Sequence, residues 1–321
     1  MNRIVYSIYS AGGLQGGHKV ILRHVETLRD LGFDAVAYTG ARNKMPTWFE
    51  HRVPVLIEAE VGPDKDALVL PDDAANTLRQ LAALPYRVFV IAQSRFEFAS
   101  RTFDLMDRFP PERLPVFIAV APGVAAMIAK AYPQAEVGLV PAFADERLFR
   151  PAPARQAAVA YIPRKRPLEA AAIRAFLQKF HPQWRDLPWR GIENASEAEV
   201  AQVFGASSLF LGLSRLEGLG LTPLEAMASG CVCAGFTGIG GRDYVTPQNG
   251  FWVPEDDCEA AAEALAAAAD LVRTGGPALA HHLEAGYETA RLWSYAAFRT
   301  ALEAFWMRHA PAARLKAGPL D

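Results

Sequence analysis

The feature that most constrains this chain is a regular alternation of short β-rich apolar runs with stretches at helical spacing, repeated in two series. In the first series residues 3–9 form a β-rich run and residues 11–17 a loop containing Gly12, Gly13, Gly16 and Gly17. Residues 18–31 then place Val20, Ile21, Leu28 and Leu31 at helical spacing before Gly32, a residue suited to ending a helix. Further short strands are expected at 34–38, 67–70, 87–92, 116–120 and 137–140. Strands that alternate with helices and are themselves almost continuously apolar predict a parallel sheet covered on both faces.

The second series starts after PAPARQA at residues 151–157, whose prolines and small residues read as a linker. Strands are expected at 157–162, 208–213 and 231–235, and helices at 168–180, 223–229 and 258–272. The division is therefore placed at 153, giving domains 1–153 and 154–321. Two such units predict a ligand in the cleft where the carboxyl ends of their strands face each other. A last amphipathic helix over 293–309 carries Trp293, Ala297, Leu302, Phe305 and Trp306 as its apolar positions.

Composition narrows the partners. Thirty-three basic and 35 acidic residues among 321 give a net charge of −2, with 51% hydrophobic and 21% charged residues. That excludes a disordered or collagenous chain and offers no bulk attraction to nucleic acid. Cys231, Cys233 and Cys258 provide neither a disulfide framework nor a CxxC metal pair, which fits a reducing compartment. The opening MNRIVYSIYS enters a strand directly, and the uncharged runs 114–129 and 226–241 are short of a membrane span and broken by Pro or Gly. The expectation is a cytoplasmic protein. Arg291, Arg299, Arg308, Arg314 and Lys316 leave weak peripheral contact with anionic lipid at the inner membrane face as an alternative to simple docking of the last helix.

Four constellations carry chemistry. Glu217 follows a strand and precedes Gly218-Leu219-Gly220, where a carboxylate faces solvent or a ligand. Glu225 lies in the first turn of the next helix, where Thr222-Pro223-Leu224-Glu225 also reads as a capping box. Arg164, Lys165 and Arg166 follow the first strand of the second series and suit a diphosphate, or form a solvated basic turn. The loop 12–17 lacks GxGxxG spacing, yet its amides can cradle a phosphate. Asp64-Lys65-Asp66 is a literal Asp-x-Asp. It precedes a strand instead of following one, and no His/Cys cluster accompanies it, so no metal site and no cofactor are expected.

The run Leu213-Ser214-Arg215-Leu216-Glu217-Gly218-Leu219-Gly220, followed by Glu225-Ala226-Met227-Ala228-Ser229-Gly230, closely resembles the donor-binding half of retaining glycosyltransferases of family 4. Phe236 to Tyr244 and Asn249-Gly250-Phe251-Trp252-Val253-Pro254 resemble that family's later segments. The resemblance implies an α/β fold of the GT-B type, two Rossmann-like domains facing a cleft, with the 290–310 helix returning to the N-terminal domain. It implies a metal-independent transfer from a nucleoside-diphosphate sugar to a carbohydrate or other hydroxyl acceptor, in glycan or polysaccharide biosynthesis. Glu217, Arg164 and Lys165 would serve the reaction. Glu225 would hold the ribose, and Gly218, Leu219, Gly220, Leu221, Thr222, Arg166 and Gly240 the rest of the donor. Gly16, Gly17, His18 and Gln93 would face phosphate and acceptor, although a plain loop histidine explains His18 equally well.

Two departures stand out. Glu169 lies where the family has a lysine, and Gln93-Ser94 stands where many members have a histidine. That substitution is tolerable where the leaving diphosphate itself takes the acceptor's proton on the same face. A nucleotide-sugar hydrolase or epimerase, and a non-catalytic sugar-nucleotide-binding subunit, remain as alternatives.

Overall fold

The computed structural model describes residues 1–9, 16–41, 45–58 and 60–315. The chain divides into two compact units, Met1–Pro141 with Phe298–Asp321, and Ala142–Ala297. Unit 1 runs β1 (Arg3–Ser7), α1 (Gly16–Asp30), β2 (Ala35–Thr39), β3 (Val55–Ile57), β4 (Asp66–Pro71), α2 (Ala75–Leu81), β5 (Val88–Ala92), α3 (Arg95–Arg101), α4 (Phe103–Met106), β6 (Val116–Ala119), α5 (Pro122–Ala131) and β7 (Val137–Leu139). Its sheet is parallel, in the order β3-β2-β1-β4-β5-β6-β7. The central strands β4 and β5 are buried along their whole length, as strands covered on both faces must be.

Unit 2 runs β8 (Gln156–Tyr161), α6 (Pro167–Phe180), β9 (Trp189–Gly191), α7 (Glu197–Gly205), β10 (Ser207–Ser214), α8 (Leu221–Ala228), β11 (Val232–Thr237), α9 (Gly238–Gly241), β12 (Phe251–Val253), α10 (Cys258–Thr274) and α11 (Gly276–Leu292). Its sheet is also parallel, ordered β12-β11-β10-β8-β9. The last helix, α12 (Tyr295–His309), starts in unit 2 and belongs to unit 1 from Phe298 onward. Within unit 1 the fully buried Trp306 donates its indole N–H to the Tyr6 hydroxyl at 3.2 Å. That hydroxyl is also hydrogen-bonded to His24 Nδ1 at 3.0 Å, and burial pulls the imidazole down to about 3 and keeps it neutral.

Several expectations shift. Gly16, Gly17 and His18 form the first turn of α1 instead of ending a loop; Gly12 and Gly13 lie outside the described residues. The edge strand β3 was not anticipated, because its three residues are half-buried or exposed and lack alternation. Helix α11 has only a sparse apolar face to announce it, Leu279 and Leu283 among small and polar residues. It packs through Leu279 and Leu283, partly buried against the core of unit 2, and through the small buried residues Gly286 and Ala290; a Cβ on Gly286 would sit 3.6 Å from Met227 Cγ on α8. The linker-like 150–156 segment lies inside unit 2, where Ala152 N–H donates to Gly205 O and Gln156 N–H to Ala206 O, both at 3.0 Å. Gly205 at the end of α7 allows that docking: a Cβ there would meet Arg150 O at 2.7 Å.

Arg166 is the other shift, and it organises unit 2. Its residue is 1% exposed, and the guanidinium spans three loops at the carboxyl ends of the strands. Nε donates to Ser214 O at the end of β10 at 3.1 Å, one terminal nitrogen pairs with Asp256, and the other meets Glu255 Oε2 at 2.5 Å. Its carbon lies 4.6 Å from the Phe236 ring centroid near the end of β11. Glu255 Oε1 also accepts Gly238 N–H at 2.8 Å. A donor set this committed makes Arg166 a strut and not a ligand contact, in correction of its assignment to donor binding. Arg166→Met should lower stability by about 2–3 kcal/mol in urea unfolding, below the roughly 3–5 of a fully buried broken pair because Asp256 and Glu255 retain water. Arg166→Lys should not restore it, since one ammonium cannot reach Ser214 O, Glu255 and Asp256 together.

Candidate active site

The carboxyl ends of β8, β10 and β11 meet at the point in unit 2 where the sheet reverses its direction of winding, between β8 and β10. Ligands of open parallel sheets bind at such points. After β8 the chain makes one tight turn, Pro163–Lys165, which leaves Arg164 exposed with no ion pair among the described residues. Lys165 reaches across to Glu217, with Nζ 2.6 Å from Oε1. The pair is partly hydrated, 37% exposed on the lysine side chain and 17% on the glutamate, so it orients the carboxylate more than it stabilises the fold.

The loop holding Glu217 is built tightly. Gly220 adopts φ +81°, a left-handed conformation, and a Cβ there would stand 3.1 Å from Glu217 Oε2. The Tyr244 hydroxyl donates to Gly220 O at 2.6 Å. Gly240 belongs to the short helix α9, and a Cβ on it would collide with the Leu219 carbonyl carbon at 2.5 Å. Gly240 therefore supports the loop from behind, packed against the backbone of buried Leu219. Asn249 is likewise structural, since its amide donates to Tyr244 O and Thr289 Oγ1 and its oxygen accepts from Thr246 N–H and Trp252 Nε1.

The helix that follows also differs from its sequence reading. Helix α8 begins at Leu221 from a left-handed Gly220 cap, so Thr222 is already inside the first turn and makes no capping bond. The reciprocal capping box of this unit is Ser196–Glu199, at the start of α7. Pro223 is tolerated in α8 because first-turn amides have no intrahelical acceptor. The half-buried Leu221 and Thr222 present their N–H groups beside Gly218 and Gly220, a favourable position for an anion. Glu225 is 5% exposed on this helix. Burial, with the charges of Glu217 and Glu225 adding to it, holds the Tyr244 phenol protonated well above its usual range.

In unit 1 the expected residues also lie close together. A Cβ on Gly17 would meet Gln93 Oε1 at 3.1 Å, so the glutamine amide rests on the first turn of α1, while Gly16 faces open space. His18 is half-buried, and burial pulls its imidazole below the usual range against the opposing charge of Asp73. Ser94 is committed to capping α3, accepting from the amides of Phe96 and Glu97 at 3.3 Å each, which leaves Gln93 as the polar side chain of that turn. Sequence reading missed Asp72, whose only local signal is an acidic pair, Asp72-Asp73, just after a strand. It is 4% exposed and accepts from the Gln93 and Ser94 amides.

The Asp64-Lys65-Asp66 segment is structural. Asp66 pairs with Arg3 at 2.8 and 2.9 Å and accepts Gly62 N–H at 2.7 Å. Burial pushes its carboxyl up, and these partners bring it below the usual range. No group of three or more His, Cys, Asp or Glu able to hold a metal ion occurs among the described residues. No helix among them is long and apolar enough to cross a membrane. Of the basic tail residues, Arg291, Arg308 and Arg314 pair with Glu284, Glu136 and Glu303, which reduces the free charge available to a lipid surface; Lys316 lies outside the described residues.

Residues 192–271 match the family model described as glycosyl transferases group 1. An α-1,6-glucosyltransferase of Actinobacillus pleuropneumoniae serotype 7 (strain AP76) is 24% identical over 277 residues, covering 83% of each chain. HepE of Anabaena, solved in complex with UDP, superposes with a TM-score of 0.71 at 13% identity over 95% of this chain and 100% of its own. Sucrose-phosphate synthase from Thermosynechococcus elongatus gives 0.68 at 14% identity over 97% of this chain and 100% of its own. The likeness of both units to these structures establishes the fold of this chain as GT-B.

Proposed function

We propose that this protein is a retaining glycosyltransferase that moves a sugar from a nucleoside-diphosphate donor to a hydroxyl group of a glycan or related acceptor. The observation that carries the reading is the Lys165–Glu217 pair, beside the exposed Arg164 and the start of α8, at the carboxyl edge of one sheet. The group 1 match covers Glu217 and Glu225, the relative in Actinobacillus is named as a glucosyltransferase, and HepE has been solved with UDP and with UDP-glucose.

In this reading Arg164, Lys165 and the Leu221 and Thr222 amides take the diphosphate, whose charge they meet without a metal ion or a cofactor. Glu217, released from Lys165 as that ammonium turns to phosphate, accepts hydrogen bonds from hydroxyls of the donor sugar. Glu225 accepts from the ribose hydroxyls, and Gly218 to Gly220 let the backbone lie close to the ligand. As the bond from the anomeric carbon to the diphosphate breaks, the acceptor oxygen bonds that carbon on the face the diphosphate leaves and gives its proton to the leaving phosphate oxygen, so the configuration is retained. The acceptor is assigned to unit 1, with Gly16, Gly17, His18 and Gln93 as its contacts. A role in polysaccharide or glycan assembly on the cytoplasmic side, without nucleic acid and with at most weak lipid contact, fits this chemistry.

Glu217→Gln keeps the shape and removes the charge; transfer from UDP-glucose should fall on the order of 10- to 100-fold with UDP affinity preserved. A near wild-type rate in a steady-state assay would remove Glu217 from the mechanism. Arg164→Ala should weaken UDP about tenfold or more in calorimetry while leaving uridine unchanged. Equal losses for nucleotide and nucleoside would show that Arg164 does not contact the diphosphate.

A further inference from the structure

We propose that Asp72 is the positioning residue of a hydroxyl-acceptor subsite in unit 1, holding the Gln93–Ser94 turn so that the Gln93 amide is presented from the first turn of α1. The proposal rests on the transferase reading for the identity of the ligand. Its geometry is that of unit 1 alone. Asp72 directly follows Pro71, the last residue of β4, and β4 is the strand beside β1 where the winding of the seven-stranded sheet reverses. That is the position at which parallel sheets open a ligand crevice.

The carboxyl is 4% exposed, and a single oxygen, Oδ2, accepts Gln93 N–H at 2.7 Å and Ser94 N–H at 2.9 Å. Ser94 continues the chain of bonds by capping α3, so the turn is fastened on both sides of Gln93. The Gln93 side chain is left on the surface of α1: a Cβ on Gly17 would stand 3.1 Å from its Oε1 and 3.3 Å from its Nε2. Gly17 is therefore the residue that makes room for the amide. A primary amide both donates and accepts, which suits a sugar hydroxyl, a group that does the same.

A buried carboxyl is an expensive way to fasten a turn unless its charge has a use. Burial pushes Asp72 up to about 7, with the nearby charge of Asp73 adding to the effect and the Gln93 and Ser94 amides opposing it. Both protonation states are therefore present near neutrality. The titratable groups around it are Asp73 on its own loop, Tyr9 after β1 and His18 on α1, which both sense Asp73, and Arg95 at the start of α3. Tyr9 is itself fixed by its hydroxyl bond to Thr77 Oγ1 at 2.6 Å. The ionised carboxylate is the stronger acceptor, so the turn tightens as pH rises through about 7 and loosens as pH falls.

The test uses the isotope-labelled full chain and amide-resolved NMR with methyl glucoside, methyl galactoside and methyl mannoside as hydroxyl probes. The Gln93 side-chain NH2 and the Gln93 and Ser94 amides should shift with at least one glycoside in the wild type. Asp72→Asn, whose side-chain oxygen can still accept both amides, should keep that response and lose its dependence on pH around 7. Asp72→Ala should weaken the response and raise the acceptor KM by about tenfold, with UDP binding unchanged. Glycoside responses that leave Gln93 untouched, an Asp72→Ala chain that binds as the wild type does, or an Asp72→Asn chain with the wild-type pH profile would each overturn the proposal. Persistent shifts without any sugar transfer would overturn the transferase reading and leave the subsite standing. Transfer without those shifts would do the reverse.

Discussion

Unit 2 depends on one buried guanidinium. Arg166 enters from the end of β8 and binds the end of β10 through Ser214 O, while Glu255 and Asp256 tie it to the loop after β12. Its stacking on Phe236 and the Glu255 bond to Gly238 extend the same connection to β11. Parallel strands are held to one another by backbone bonds along their length, but nothing in the ladder sets the loops that leave their carboxyl ends. Arg166 supplies that constraint, and an arginine is suited to it because its planar fork satisfies several acceptors at fixed angles.

The consequence is a stiff frame around a small, partly hydrated ion pair. Glu217 lies on a loop gripped by Tyr244 on one side and by the absence of a side chain at Gly240 on the other. Lys165, the last residue of the turn before Arg166, stays partly exposed in its pair with Glu217. Neighbouring basic residues thus divide the work: the buried one fixes geometry, and the exposed ones keep charge available. In unit 1 a similar division holds between Asp72, buried beneath its turn, and Gln93, which that turn presents.

The parts of this architecture legible in the sequence were those with a local signal. Periodicity placed most strands and the longer apolar helices, and the Glu217-to-Glu225 run marked the loop and helix that form the candidate site. The parts that escaped had no local signal. Helix α11 sets only two partly buried leucines, Leu279 and Leu283, among small and polar residues; β3 is a short edge; the Thr222 capping box fails because the chain arrives at α8 from a left-handed Gly220, a backbone geometry that the residue pattern alone does not specify.

The same distinction governs the chemistry. The sequence by itself determined two α/β units, a near-neutral surface and the residue types that can hold a diphosphate and sugar hydroxyls. Only the tertiary structure decided which of three consecutive basic residues is a strut, which is paired and which is exposed, because burial depends on contacts with residues 48 to 90 positions away. It also decided that Asp66 belongs to Arg3 and Asp72 to Gln93, across separations of 63 and 21 residues. A carboxylate's role is set by what surrounds it, and in a parallel sheet the surroundings come from strands that are distant in the chain.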